Sequence, residues 1–175
     1  MKKGGCTLKG NNSDILFLRV VTGLTFGSLL ILLYRKPPIK DWIIVYLFNA
    51  ITNGIIDNFI TSYKVVKYPV RYFPKVFKSH ILFDFLIYPT FTILYNQITE
   101  NDKTLATSYK LLFFTIPMFF IEYWAVRKTN LIKWEKGWEW YHTFISVTIK
   151  SLATRIFIGF IRKVDKKQLL TEQIN

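Results

Sequence analysis

The sequence ILFLRVVTGLTFGSLLILLY, residues 15–34, is apolar apart from Arg19 and a few small polar residues. A helix needs about 20 such residues to cross a hydrocarbon core about 30 Å thick. Similar runs follow at 42–60, 81–98 and 105–126, with a weaker one at 144–161. The pattern predicts an all-α integral membrane protein: a bundle of four to five transmembrane helices joined by basic and aromatic loops at the membrane interface.

The composition argues against a water-soluble domain. Of the 175 residues, 51% are hydrophobic and 18% aromatic, and a soluble chain of this length could not bury four or five such runs in one core. The net charge of +13 would suit nucleic acid, but the lysines and arginines lie between the apolar runs, as in loops that face the cytoplasm and anionic lipid. We therefore expect the lipid bilayer, and no nucleic acid, as the partner of this charge.

One membrane domain is expected. We predict a disordered tail over residues 1–13, a helical domain over 14–163 and a polar tail over 164–175. Cys6, the single cysteine of the chain, lies in the first tail and excludes an internal disulfide.

The last run leaves two topologies open. Its apolar residues form one stripe at helical spacing, so the segment either crosses the membrane with its polar side turned inward or lies on the surface. With five crossings, the segments on the N-terminal side hold 12 Lys and Arg residues against 8 opposite; with four, the counts are 18 and 4. Both counts predict a multi-pass cell-membrane protein with a cytoplasmic N-terminus. We expect five crossings, because 144–161 is long enough to cross.

The loop between the second and third runs is the most basic segment. Its cations are interleaved with aromatic residues: Lys64, Lys67, Arg71, Lys75 and Lys78. Pro69 and Pro74 interrupt a continuous helix here. We predict that these five cations contact anionic lipid headgroups.

Four of the five tryptophans fall close together, at Trp124, Trp134, Trp138 and Trp140. Indole rings favour the membrane interface, because the ring is apolar and its N–H needs a partner. We interpret the group as an aromatic belt, with an aromatic cage around a ligand as the alternative.

Ionisable residues lie about four positions inside the ends of several runs. If the chain alternates direction, Arg19, Asp57, Asp84 and Glu122 all fall near the cytoplasmic face, with His142 at the start of the last helix. A charge in lipid costs at least about 2.5 kcal/mol on insertion scales, so such residues usually pair, face a cavity or carry function. These five residues form the candidate polar cluster.

The chemistry of this cluster stays open at the level of sequence. Carboxylates with imidazoles, including His80 one turn before Asp84, could bind a metal, relay protons or act as an acid–base pair. No HExxH, Walker, CxxC or GxSxG motif is present, so no metal, cofactor or catalytic residue is assigned. The alternative is that Arg19 pairs with one acid while the others reach interfacial water. If the acids converge, we expect Asp84 and Glu122 to be coupled.

Five strings occur together in order: RKPPIKDW at 35–42, YPVRYFPKVFK at 68–78, ILFDFL at 81–86, IEYW at 121–124 and KGWEWYHTF at 136–144. As a set they resemble an uncharacterised family of small multi-pass membrane proteins from endospore-forming bacteria, over roughly residues 35–165. The resemblance implies a bacterial membrane protein, with sporulation as a further association, and supplies no catalytic residue.

Two functions follow as predictions. The leading one is a non-enzymatic structural or interaction component that packs against a helical partner or a second copy. Gly23 and Gly27, at small-xxx-small spacing, would serve such packing. The alternative is a small transporter or intramembrane enzyme that uses the acids near the cytoplasmic face.

Overall fold

The computed structural model describes residues 12–72 and 79–172, without the side chains of Asn12, Asp14 and Thr104. The predicted tail up to residue 11, Lys75 and Lys78 therefore lie outside the described residues. The described chain contains five α-helices: α1 (Asn12–Arg35), α2 (Ile39–Ser62), α3 (Tyr88–Ile98), α4 (Thr104–Lys128) and α5 (Trp140–Glu172). A π-helical segment, Phe83–Ile87, precedes α3, and β1 (Val66–Lys67) pairs with β2 (Lys133–Trp134) in an antiparallel ribbon.

Four helices in this part of the chain are long and apolar enough to cross a membrane: Ile15–Arg35, Ile39–Ser62, Leu105–Lys128 and Trp140–Glu172. The predicted all-α fold is confirmed. The run 81–98 is also helical throughout, but the π segment divides it into shorter pieces.

Helix α5 runs antiparallel to α2 along most of the length of α2. Successive contacts show this: Thr154 to Asn49 at 3.1 Å, the Phe157 ring to the Phe48 ring at 4.3 Å, and Arg162 to Asp41 at 2.6 Å. Helix α5 is thus a lengthwise member of the bundle. Its 33 residues extend about 50 Å, so the helix continues through most of the predicted polar C-terminal tail.

Pro89 accounts for the π segment. Proline has no N–H to donate to a carbonyl one turn back, and the helix widens just before it. Two carbonyls left without that donor accept from α2 instead: Asp84 O from Asn53 Nδ2 at 3.1 Å, and Phe85 O from the Tyr46 hydroxyl at 2.8 Å. Helix α2 therefore stabilises the irregular turn that carries Asp84.

Gly54 permits this close approach. A Cβ at position 54 would lie 2.9 Å from the Phe85 ring, too near for an unshifted contact. At Gly23 and Gly27 nothing lies within 4 Å of such a Cβ. The glycines of α1 therefore face open space, whereas Gly54 serves packing inside the bundle.

The bundle is apolar outside, and inside it buries polar side chains beside two apolar clusters. Leu24, Phe113 and Ile156 are about 70% exposed, and large hydrophobic side chains are exposed on all four long helices. Asn49 and Asn96, in contrast, are fully buried. In a water-soluble domain, large apolar side chains are mostly buried and buried polar residues are the exception.

The alternating helices give the bundle two polar ends. Asp57, Asp84 and Glu122 lie at the end that carries the β1–β2 ribbon, here called the acid end. At the opposite end, Glu100 pairs with Lys36 at 2.5 Å and with Arg162 at 2.9 Å.

Candidate functional site

A partly open cavity of about 110 Å³ lies between the helices at the acid end. Asp57 from α2, Asp84 from the π segment and Glu122 from α4 all line it, and α5 contributes Thr143 and Lys150. The structure thus brings three of the five predicted cluster residues to one cavity, here called the acid cavity.

The carboxyl groups of Asp57 and Asp84 lie close enough to form a hydrogen bond with each other when one of them carries a proton. Asp57 Oδ1 also accepts from the Tyr68 hydroxyl at 2.7 Å, and its Oδ2 accepts from the His80 backbone N–H at 3.3 Å. Asp84 Oδ2 is buried without a hydrogen-bond partner in the described structure. Because ionised carboxylates only accept hydrogen bonds, a bond between two of them requires a proton on one. The geometry therefore allows the two carboxyl groups to share one proton.

Tyr68 and His80 reach this pair from the loop between α2 and the π segment. Burial raises the pKa of Tyr68 well above its ordinary value, and the nearby Asp57 carboxylate raises it further, so Tyr68 stays a donor. Burial lowers the pKa of His80 to about 4, so its imidazole is neutral near pH 7. Its Nδ1 accepts the Phe83 N–H at 3.4 Å, which makes His80 a cap for the following helix.

Glu122 occupies another wall of the acid cavity. Its Oε1 accepts from Trp134 Nε1 at 3.3 Å and from the Thr143 hydroxyl at 3.0 Å. Thr143 in turn accepts from Trp138 Nε1 at 3.0 Å. Two of the tryptophans predicted for an interfacial belt thus donate hydrogen bonds within the site, while Trp124 is about half exposed.

Lys150 is the cation of the acid cavity. Its Nζ hydrogen-bonds Asn53 Oδ1 and lies 5.2 Å from the centroid of the Tyr88 ring. The sequence analysis did not assign Lys150 to the site. The available signal was its spacing of two helical turns from Thr143, which puts both residues on one helix face.

Arg19 and His142 are not brought to the acid cavity. Arg19 is exposed on α1 and is not one of the residues that line the cavity. His142 Nδ1 accepts the Glu139 N–H at 3.0 Å, and its ring stacks on Trp138 at 5.2 Å. His142 therefore contacts a wall of the cavity through Trp138.

The described residues of the basic loop make contacts within the protein. Lys67 pairs with Glu135 across the ribbon at 2.7 Å, and Arg71 donates to the Tyr68 carbonyl. Lys64 is exposed in a left-handed backbone conformation, with φ of 58°. Their contact with lipid headgroups stays a prediction. Over the described ranges, no three His, Cys, Asp or Glu residues are grouped so that they could hold a metal ion.

Buried polar side chains continue from the acid cavity into the bundle. Lys150 Nζ approaches Asn49 O at 3.5 Å, and Asn49 Oδ1 accepts from Thr154 at 3.1 Å. Arg155, the next residue of α5, donates to Thr99 O at 2.6 Å at the opposite end. The contacts from Lys150 through Asn49 to Thr154 are here called the polar pathway, and Arg155 belongs to a separate polar group at the opposite end.

Comparisons of the chain with family models, with curated proteins and with solved structures find no match, so its function is argued from the site itself.

Proposed function

We propose that the protein is an integral membrane protein whose five lengthwise helices cross the bilayer. The apolar outer surface supports this, because large exposed apolar areas mark contact with lipid or protein. Most polar side chains inside donate or accept hydrogen bonds within the bundle, as a bilayer interior favours, although Asp84 Oδ2 and four other buried polar atoms have no hydrogen-bond partner in the described structure. We place the acid end and the N-terminus at the cytoplasmic face of the cell membrane, on the Lys and Arg distribution.

Within this membrane protein, the acid cavity is a proton-exchanging site of a small transporter. The observation that carries this proposal is the carboxyl contact between Asp57 and Asp84 at a partly open cavity. Intramembrane ionisable groups of this kind mark ion pathways and proton relays. The polar pathway adds support, because it extends from the same cavity toward the opposite end.

The chemistry of exchange follows from the charges. A proton on the Asp57–Asp84 pair offsets the repulsion between the two carboxylates. A solute cation that enters the acid cavity offsets the same repulsion, so the pair gives up its proton when the cation binds. Lys150 is held by Asn53 beside the pair, so it stabilises the carboxylate while neither proton nor solute is present.

Proteoliposomes that contain a pH-sensitive dye test the proposal. A gradient of tetramethylammonium across the membrane should drive protons in the opposite direction through the wild-type protein, and Asp84→Asn should reduce that rate by about tenfold or more, since the shared proton site is lost. Asp165→Asn is the matched control, because Asp165 pairs with Lys40 at the opposite end and should leave the rate unchanged. Equal rates for wild type and Asp84→Asn would remove proton exchange as the function.

One observation favours the second candidate, an interaction component. Gly23 and Gly27 lie on α1 with open space beside them, so the backbone there is free for another helix to approach. If a second copy docks on this face, Gly23→Leu should convert an oligomer into a monomer in mass measurements on nanodiscs. An unchanged mass would exclude this face as a contact.

A further inference from the structure

A second cavity lies beside the acid cavity and has the opposite chemistry. It encloses about 410 Å³ between α1, the π segment, α4 and residues 131–132. Its walls are formed by aliphatic and aromatic side chains, and its polar lining residues are Thr25, His80 and Glu122. Its volume is within the range of roughly 300–1,000 Å³ that is usual for pockets that bind small molecules.

The two cavities share part of their walls. Phe83 and Glu122 line both, so one carboxyl group belongs to the polar cavity and to the apolar one. His80, which lines the apolar cavity, is a neutral cap near pH 7 and adds no positive charge at this junction. A ligand that occupied both cavities would therefore contact the Glu122 carboxyl group at the boundary between the charged region and the apolar region.

The charges that line the acid cavity determine which charge the polar head of a bound ligand can carry. Three carboxyl groups face it against one ammonium group, that of Lys150, which is already held by Asn53. With one proton shared by Asp57 and Asp84, the lining keeps an excess of negative charge. An anionic or zwitterionic head would bring an additional negative group into this field, whereas a cation would not.

We infer that the acid cavity and the apolar cavity together bind a single-chain amphiphilic cation, with its ammonium head among the carboxyl groups and its alkyl chain against α1 and α4. This inference rests on the proposed function and names the class of solute that exchanges with the proton. A short cation would fill the acid cavity alone and leave the apolar cavity unused.

Calorimetric titration of the protein in phosphatidylcholine nanodiscs tests the inference, with the heats of empty nanodiscs subtracted. The probes are dodecyltrimethylammonium, tetramethylammonium, dodecylphosphocholine and dodecyl sulfate. A longer chain also concentrates in the bilayer, so chain length alone is not diagnostic. Variants that fill the apolar cavity are diagnostic, because they leave partitioning into the bilayer unchanged.

Val21→Phe places a ring into the apolar cavity from α1, and Val20→Phe is its matched control on the exposed side of the same helix. Val21→Phe should weaken the binding of dodecyltrimethylammonium by about tenfold, a loss of about 1.4 kcal/mol. The affinity for tetramethylammonium should stay within about twofold of the wild-type value. Val20→Phe should change neither. Ala125→Leu, from α4, is a second filling variant with the same expected result if Val21→Phe does not fold.

The outcomes separate the two proposals. Unchanged dodecyltrimethylammonium affinity in the filling variants, or equal binding of the three dodecyl probes, would overturn the amphiphilic cation. Proton exchange in proteoliposomes with no saturable binding of dodecyltrimethylammonium would overturn this inference alone. Selective binding of the long-chain cation without proton exchange would keep the binding site and overturn transport.

Discussion

The contact between Asp57 and Asp84 predicts energetic coupling between two single residues. Each carboxyl group lies within hydrogen-bonding reach of the other, so changing one alters the environment of the other. In a double-mutant cycle of Asp57→Asn and Asp84→Asn, we expect a coupling energy of about 1–2 kcal/mol in unfolding measurements in detergent. Strict additivity would contradict a shared hydrogen bond.

A second cycle, of Asp84→Asn and Glu122→Gln, tests the sequence-based expectation, which paired Asp84 with Glu122. Glu122 accepts its hydrogen bonds from Thr143 and Trp134. The coupling of Asp84 with Glu122 should therefore be smaller than its coupling with Asp57. Asp165→Asn lies at the opposite end, so its effect on the free energy of unfolding should add to that of Asp84→Asn. Any departure from additivity in this control pair measures the experimental error.

His80 should make stability depend on pH. Its pKa is about 4 in the folded chain and 6.5 in the unfolded one, so between these values the unfolded chain binds more protons. The free energy of unfolding should therefore fall as pH drops from 7 to 4, by up to about 3 kcal/mol from this residue. His80→Asn keeps a capping side chain without a titrating group and should remove that part of the slope. Identical slopes in the two proteins would rule out His80 as the cause.

Among the secondary-structure elements, the contact between α2 and the π segment gives a paired prediction. Gly54→Ala would push a methyl group against the Phe85 ring and should lower the free energy of unfolding by about 1–3 kcal/mol. Gly23→Ala, where nothing lies within 4 Å, should raise it by about 0.5–1 kcal/mol, since alanine favours a helix. Phe85→Leu should restore part of the stability lost in Gly54→Ala. Equal effects of the two glycine changes would contradict the close approach.

Hydropathy predicted the helices well because bilayer thickness sets the length of an apolar run. It did not predict where the helices end. Helix α5 continues to Glu172 because its polar last turns satisfy their backbone hydrogen bonds without needing an apolar environment. The π segment was also missed, since Pro89 indicates a disturbance of the helix but not its kind.

For the protein as a whole, the antiparallel course of α5 predicts on which side of the membrane the C-terminal end of α5 lies. In a Cys6→Ser background, Asn101→Cys and Thr171→Cys should both react with an impermeant maleimide added outside intact cells. Lys136→Cys, at the acid end, should react only after permeabilisation. Protection of Thr171→Cys while Asn101→Cys reacts would contradict the fifth crossing.

The site was predictable only in part, and for a physical reason. Alternating helix direction puts Asp57, Asp84 and Glu122 in one layer, which hydropathy alone can indicate. Tyr68 directly follows β1 and Trp134 lies in β2, so their place beside the acids depends on the ribbon that pairs β1 with β2. Two-residue strands leave no periodic signal in a sequence, so these contacts could not be read from it.

The π segment also restricts which insertions and deletions the sequence can accept during evolution. Successive residues of a helix are turned by about 100°, so loss of one residue within Phe83–Ile87 would restore a regular turn and rotate everything before it relative to α3. Asp84 would then leave Asp57, while Tyr88 could keep its bond to Ser151. Descendants of this sequence that preserve the carboxyl pair should therefore tolerate substitutions in the segment more readily than any change in its length.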